Sequence, residues 1–122
     1  MKNAILMIFL VISHTNLSAA VNTGGDLLEK CDSYISYMGN KQIPDSNFAY
    51  HMGICQGFVD GVIYTHSVTR SGSPIWCLPK NAASDQIIRV LVNHIRDNPE
   101  AQQKNLGAVV LVAMVNAFPC SE

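Results

Sequence analysis

The chain has 122 residues, 48% apolar and 14% charged, with four cysteines and a formal net charge of −1. That near-neutral balance excludes the basic surface a nucleic-acid binder needs. Five prolines and eight glycines are too few for a disordered or collagen-like chain. An even cysteine count in a chain this short means a disulfide framework if the compartment is oxidising, so the compartment is decided first.

Residues 1–20 read MKNAILMIFLVISHTNLSAA. Lys2 supplies a positive start, Ala4 to Ile12 form an apolar run, and Ser18 and Ala20 place small residues at the −3 and −1 positions of a cleavage site. This pattern predicts a secretory signal removed after Ala20. The run is too short to cross a hydrocarbon core of about 30 Å, which needs about 20 helical residues. Val21 stands where a lipoprotein would have Cys, so no membrane anchor is expected after cleavage. The predicted product is a single domain over residues 21–122, in the periplasm or outside the cell, where disulfides persist. Lys2 leaves with the signal, so seven basic residues then stand against nine acidic ones, a net charge of −2.

Helical spacing recurs four times in residues 21–122, whereas strand alternation never lasts more than a few positions. Leu27, Leu28, Cys31, Tyr34, Ile35 and Met38 form one stripe over Asp26 to Met38, with Gly39-Asn40 as a stop. From Ser46 to Thr69, Phe48, Met52, Cys55, Val59, Val62 and His66 repeat at steps of three and four. The same segment carries Gly53, Gly57 and Gly61 as a second stripe. Each glycine costs a helix about 1 kcal/mol against alanine, so three in register predict a close helix–helix approach; a broken helix is the alternative. Ser71 to Ala83 is a Gly-, Ser- and Pro-rich connection holding the only tryptophan, Trp76.

A third helix is predicted over Ser84 to Asp97, with Ile87, Ile88, Leu91, Val92 and Ile95 inward, and Asn98-Pro99 breaks it. The last is expected from Pro99 or Glu100 to Ala117. Its Gly107–Val115 segment is apolar on every side, which predicts the central, most buried helix. The fold class is therefore all-α, a small disulfide-stapled bundle of about four main helices.

Four cysteines allow three pairings. Antiparallel helices bring together residues equidistant from the turn between them, which favours two of the possible bonds. The midpoint of Cys31 and Cys55 falls beside Pro44, and that of Cys77 and Cys120 falls between Asn98 and Pro99. Both are predicted turns, and neither alternative pairing achieves this twice. Cys31–Cys55 and Cys77–Cys120 are the predicted disulfides, each worth about 3–4 kcal/mol by loop-closure entropy.

Little chemistry remains. There is no G-x-S-x-G elbow, and cysteines committed to disulfides leave no thiol nucleophile. His51, His66 and His94 are scattered singly. His51 and Cys55 share an i, i+4 spacing suited to a metal, but Cys55 is the better disulfide partner. Asp60 lacks a partner carboxylate and reads as solvated or as a salt-bridge partner. No catalytic residue, metal or cofactor is expected. Domains of this kind act by binding through aromatic anchors with polar or charged neighbours, and Arg70, Ser73, Ile75 and Trp76 are the candidates; the alternative for Trp76 is a core cap beside Cys77.

The segment Gly53-Ile54-Cys55-Gln56-Gly57-Phe58-Val59-Asp60-Gly61 resembles the G-x-C-x-G-[YF]-[IV]-x-G segment of the Rap/Tai family of type VI secretion amidase immunity proteins. Cys77-Leu78-Pro79, Gln86, the run Val90 to Ile95 with Asn98-Pro99-Glu100, and Ala117-Phe118-Pro119-Cys120 resemble that family in the same order, so the likeness spans roughly Leu28 to Cys120. It departs at Ala83, where the family usually has a Thr or Ser helix cap; Ser84 is the substitute expected here. The resemblance implies a periplasmic helical protein, commonly a homodimer, that covers the Cys-His cleft of a peptidoglycan amidase effector and catalyses nothing. A protein of another class, a periplasmic chaperone or stress protein, is the alternative for a small helical disulfide-bonded domain.

Overall fold

Thr23 opens the first helix, α1 (Gly24–Asn40). Its hydroxyl accepts from the Asp26 N–H at 3.2 Å, and the Asp26 carboxylate accepts in return from the Thr23 N–H at 2.9 Å. This capping box satisfies two of the N–H groups that a helix start leaves unpaired. The helix runs through Gly39-Asn40, and Lys41 takes the left-handed position at φ 59° that ends it, its N–H donating to the Tyr37 carbonyl at 2.7 Å. The computed structural model describes residues 21–69 and 72–121; the predicted signal over residues 1–20 lies outside them.

Three further helices follow: α2 (Ser46–Thr69), α3 (Ser84–Asp97) and α4 (Leu106–Ala117). Asp45 starts α2 by accepting from the Phe48 N–H at 2.8 Å. The expected helix from Pro99 is instead two elements, a 3₁₀ turn over Pro99–Gln103 and then α4. The break comes at Lys104, which is extended, and at Asn105, whose side chain accepts from the Gly107 N–H at 2.9 Å. An Asn immediately before an apolar run is an N-cap signal. Ala83 is the cap position of α3 without a side-chain bond, and Ser84, rather than capping, donates its hydroxyl to the Asp60 carboxylate of α2. The architecture is the predicted all-α one, four main helices with two disulfides.

The core runs along α3. Ile87, Ile88, Leu91, Val92 and Ile95 are each 0% exposed and meet Leu27 and Cys31 of α1, Cys55 and Val59 of α2, and Val109, Val110, Ala113 and Met114 of α4. Each such aliphatic side chain contributes about 1.5–3 kcal/mol by leaving water. α3, not α4, is thus the most buried helix. Although α4 is apolar all round, Leu111, Val112 and Val115 remain 43%, 49% and 37% exposed. Their chemistry matches a core, but α4 meets its neighbours along one side only.

Both disulfides are the predicted ones. Cys31–Cys55 joins α1 to α2 with Cα atoms 5.0 Å apart, and Cys77–Cys120 ties the α2–α3 connection to the segment beyond α4 at 4.9 Å. The chain entering α1 is pinned to the start of α4: Thr23 and Asn105 form an antiparallel bridge, and the Leu106 N–H donates to the Asn22 carbonyl at 2.9 Å.

Candidate partner-binding groove

An open groove of about 770 Å³ lies between α2 and α4. One wall is α2, through Gly57, Phe58, Gly61 and Val62; another is the start of α4, through Leu106, Gly107, Val110 and Leu111. Val21, Ile75 and Trp76 also line it. Its size is that of an ordinary ligand or peptide site. No carboxylate, lysine or arginine lines it among the described residues; Asn22, Thr65, His66, Thr69 and Asn105 supply polarity. Such a surface favours an apolar, uncharged occupant, because a charge placed there would lose its water without a partner.

Trp76 is 7% exposed and its indole stacks on the His66 imidazole, centroids 4.1 Å apart and planes 15° from parallel. It belongs to the core cluster and offers the groove part of its ring, so of the two readings open for this residue the core cap beside Cys77 is the one built. Ile75, 41% exposed, is the free apolar side chain of that loop, and Ser73 is exposed. Arg70 lies outside the described residues.

The glycine stripe is not a helix–helix contact within the chain. Gly53, Gly57 and Gly61 are exposed, and a Cβ added at any of them would meet nothing within 4 Å. The neighbours of α2 are α1 and α3, and these pack on the Cys55–Val59 side of the helix. The opposite side, from Tyr50 through the three glycines to Tyr64 and Val68, points outward, with Tyr50 50%, Tyr64 69% and Val68 57% exposed. The glycines that do accommodate a close approach, Gly24 and Gly25, carried no periodic signal. A Cβ on Gly24 would stand 2.3 Å from the Ala101 carbonyl oxygen.

The polar residues singled out for chemistry are occupied structurally. Asp60 accepts from Ser84 and from the Gln56 amide at 3.3 Å, tying α2 to α3. The Cys55 sulfur is bonded to Cys31, so His51 and Cys55 are not a metal-ligand pair. His51 Nε2 instead lies 3.1 Å from the Lys30 ammonium, which also pairs with Glu29 at 2.8 Å. The Lys30 hydrogen bond and charge hold the Glu29 carboxyl below the usual range. Burial pushes the Tyr34 phenol up. No three His, Cys, Asp or Glu side chains cluster as a metal site among the described residues. No helix there is long and apolar enough to cross a membrane.

The described residues thus form a disulfide-stapled helical domain with a mostly apolar groove between α2 and α4. The family model of the Rap1a immunity proteins matches residues 23–120, and the chain belongs to that family. No curated protein and no solved structure matches it.

Proposed function

We propose that this protein is a periplasmic immunity protein that binds a type VI-secreted peptidoglycan amidase and blocks it by covering its Cys-His cleft. The observation that carries the reading is the family match over residues 23–120, which takes in nearly all of the described chain. The groove fits the same role: a mostly apolar hollow between α2, α4 and Ile75 can seat a loop of the toxin, and exposed Ser73 lies two residues before Ile75 in the chain. Steric occlusion needs no catalytic group on the inhibitor, so the protein itself carries out no reaction.

We also take the protein to act as a homodimer. The half of α4 left open at Leu111, Val112 and Val115 supports this, since an apolar helix face of that kind is normally covered. Light scattering of the purified protein checks it, a dimer mass being expected at micromolar concentration.

The deciding experiment looks for a Cys-His amidase gene beside this one and takes its product. Co-purification with it, and loss of its wall-cleaving activity at stoichiometric concentrations, are expected. Undiminished cleavage, with no complex at micromolar concentration, overturns the reading. Suppressed aggregation of unrelated unfolded clients would point instead to a chaperone.

A further inference from the structure

The two disulfides differ in access. Cys31 and Cys55 are both 0% exposed, whereas Cys77 and Cys120 lie at the surface. Thiol–disulfide exchange requires a thiolate to reach one of the sulfurs, so access decides which bond reacts. The accessible bond is also the one that holds the wall of the groove. Cys77 directly follows Trp76, and its N–H donates to the Phe118 carbonyl at 2.8 Å. The bond to Cys120 clamps the α2–α3 connection to the chain beyond α4, across 43 residues of sequence. Trp76 is thereby held between this clamp and the His66 ring.

We propose that Cys77–Cys120 is a thiol-exchange site for a dithiol reductant, and that opening it releases the Ile75–Trp76 wall of the groove while Cys31–Cys55 keeps the helical core closed. One thiolate of the reductant attacks an exposed sulfur, the S–S bond breaks, and a mixed disulfide forms. The second thiol of the reductant then attacks that mixed bond. Cys77 and Cys120 end as two thiols, and the reductant, having given up two electrons, ends as a disulfide. The buried pair offers no sulfur to attack, so it remains oxidised. As regulation of the docking groove, this rests on the immunity reading; as chemistry, it stands on the exposure of the two bonds.

The test treats the chain of residues 21–122 with dithiothreitol under native conditions, quenches with a maleimide, and maps the tagged cysteines by mass spectrometry. Trp76 is the only tryptophan, so its fluorescence reports the wall directly. Tags confined to Cys77 and Cys120 are expected, with unchanged far-UV circular dichroism. The emission should strengthen and shift to the red as the indole leaves the disulfide and His66. Simultaneous tagging of all four cysteines overturns the proposal, as does selective tagging with unchanged emission or with loss of helicity. A Cys77→Ser/Cys120→Ser variant should show the shifted emission without reductant, and emission like the unmodified protein overturns the release of the wall. Should that variant not fold, the native protein with dithiothreitol decides alone. Amidase binding should be lost on selective reduction; its retention overturns the regulatory role. Absence of binding by the oxidised protein counts instead against the immunity reading, and the tagging result stands apart from it.

Discussion

The entry to α1 and the outer face of α2 use the same residue for opposite ends. At Gly24 the missing side chain is what lets two backbones meet: a Cβ would sit 2.3 Å from the Ala101 carbonyl oxygen and 3.0 Å from its carbon. At Gly53, Gly57 and Gly61 there is nothing within 4 Å to make room for. The three glycines recur with helical regularity, whereas Gly24 and its neighbour Gly25 have no such pattern. A close approach is a property of what lies opposite, here the 3₁₀ turn arriving from 77 positions later in the chain, and spacing along one helix does not report it. The α2 stripe instead leaves open space, and Gly57 and Gly61 line the groove.

Gly24→Ala forces a methyl against a backbone carbonyl that no rotamer change can move, so the cost lies near the top of the range for overpacking, about 3 kcal/mol. For a domain of this size each kcal/mol lowers Tm by about 4–8 °C. Calorimetry showing less than a tenth of that cost would mean that the 3₁₀ turn gives way freely and that the two glycine sets do not differ. The next effect is on binding. Gly61→Leu should not lower Tm, since leucine is a better helix former than glycine, while filling the groove. Amidase affinity should fall at least tenfold, about 1.4 kcal/mol, as read by titration calorimetry.

Smaller and opposite in sign are Gly57→Ala and Gly61→Ala. Alanine is favoured over glycine inside a helix by up to about 1 kcal/mol, and with open space at each Cβ the whole gain should appear in urea unfolding. A loss of stability in either would show that the α2 stripe is covered in solution and that its glycines, like Gly24, serve a contact.

Much of the fold could be read from sequence wherever the signal was local. α2 and α3 begin and end where turn residues stand, at Pro44-Asp45 and Asn98-Pro99, and the disulfides follow because those turns fix which cysteines come level. The misreadings share one cause, a dependence on distant neighbours. The apolar run of α4 has the composition of a core helix, but how much of it is buried depends on how many helices surround it. The Asn105 cap that splits the last segment was missed, because Pro99 offered an earlier helix start. The groove was the least accessible feature, because its walls come from α2, α4 and Ile75-Trp76, and only the fold sets them side by side. Trp76 is buried in the core and also lines the groove, a double placement that only the fold shows.

The smallest effect sharpens the α1 end of the comparison. Gly24 can approach Ala101 only if the chain enters α1 at one angle, and the capping box sets that angle. Removing the hydroxyl in Thr23→Ala should cost about 1 kcal/mol. Protonating Asp26 should cost less, because the Thr23 hydroxyl still accepts. The Thr23 N–H, the Asn22 N–H and the Thr23 hydroxyl bond hold the Asp26 carboxyl below its ordinary value of 3.8. A carboxyl depressed by folding stabilises the protein above the unfolded-state value, and that contribution fades as pH falls through the lower, folded-state value. The amides of the first turn of α1 should therefore lose hydrogen-exchange protection as pH drops below 3.8. Glu29, depressed by Lys30, titrates in the same direction, so the Asp26 share is the part of the pH dependence that Asp26→Asn removes and Glu29→Gln leaves. If the two substitutions flatten the curve equally, the capping box does not hold the entry angle, and the Gly24 approach must be fixed by the Thr23–Asn105 bridge alone.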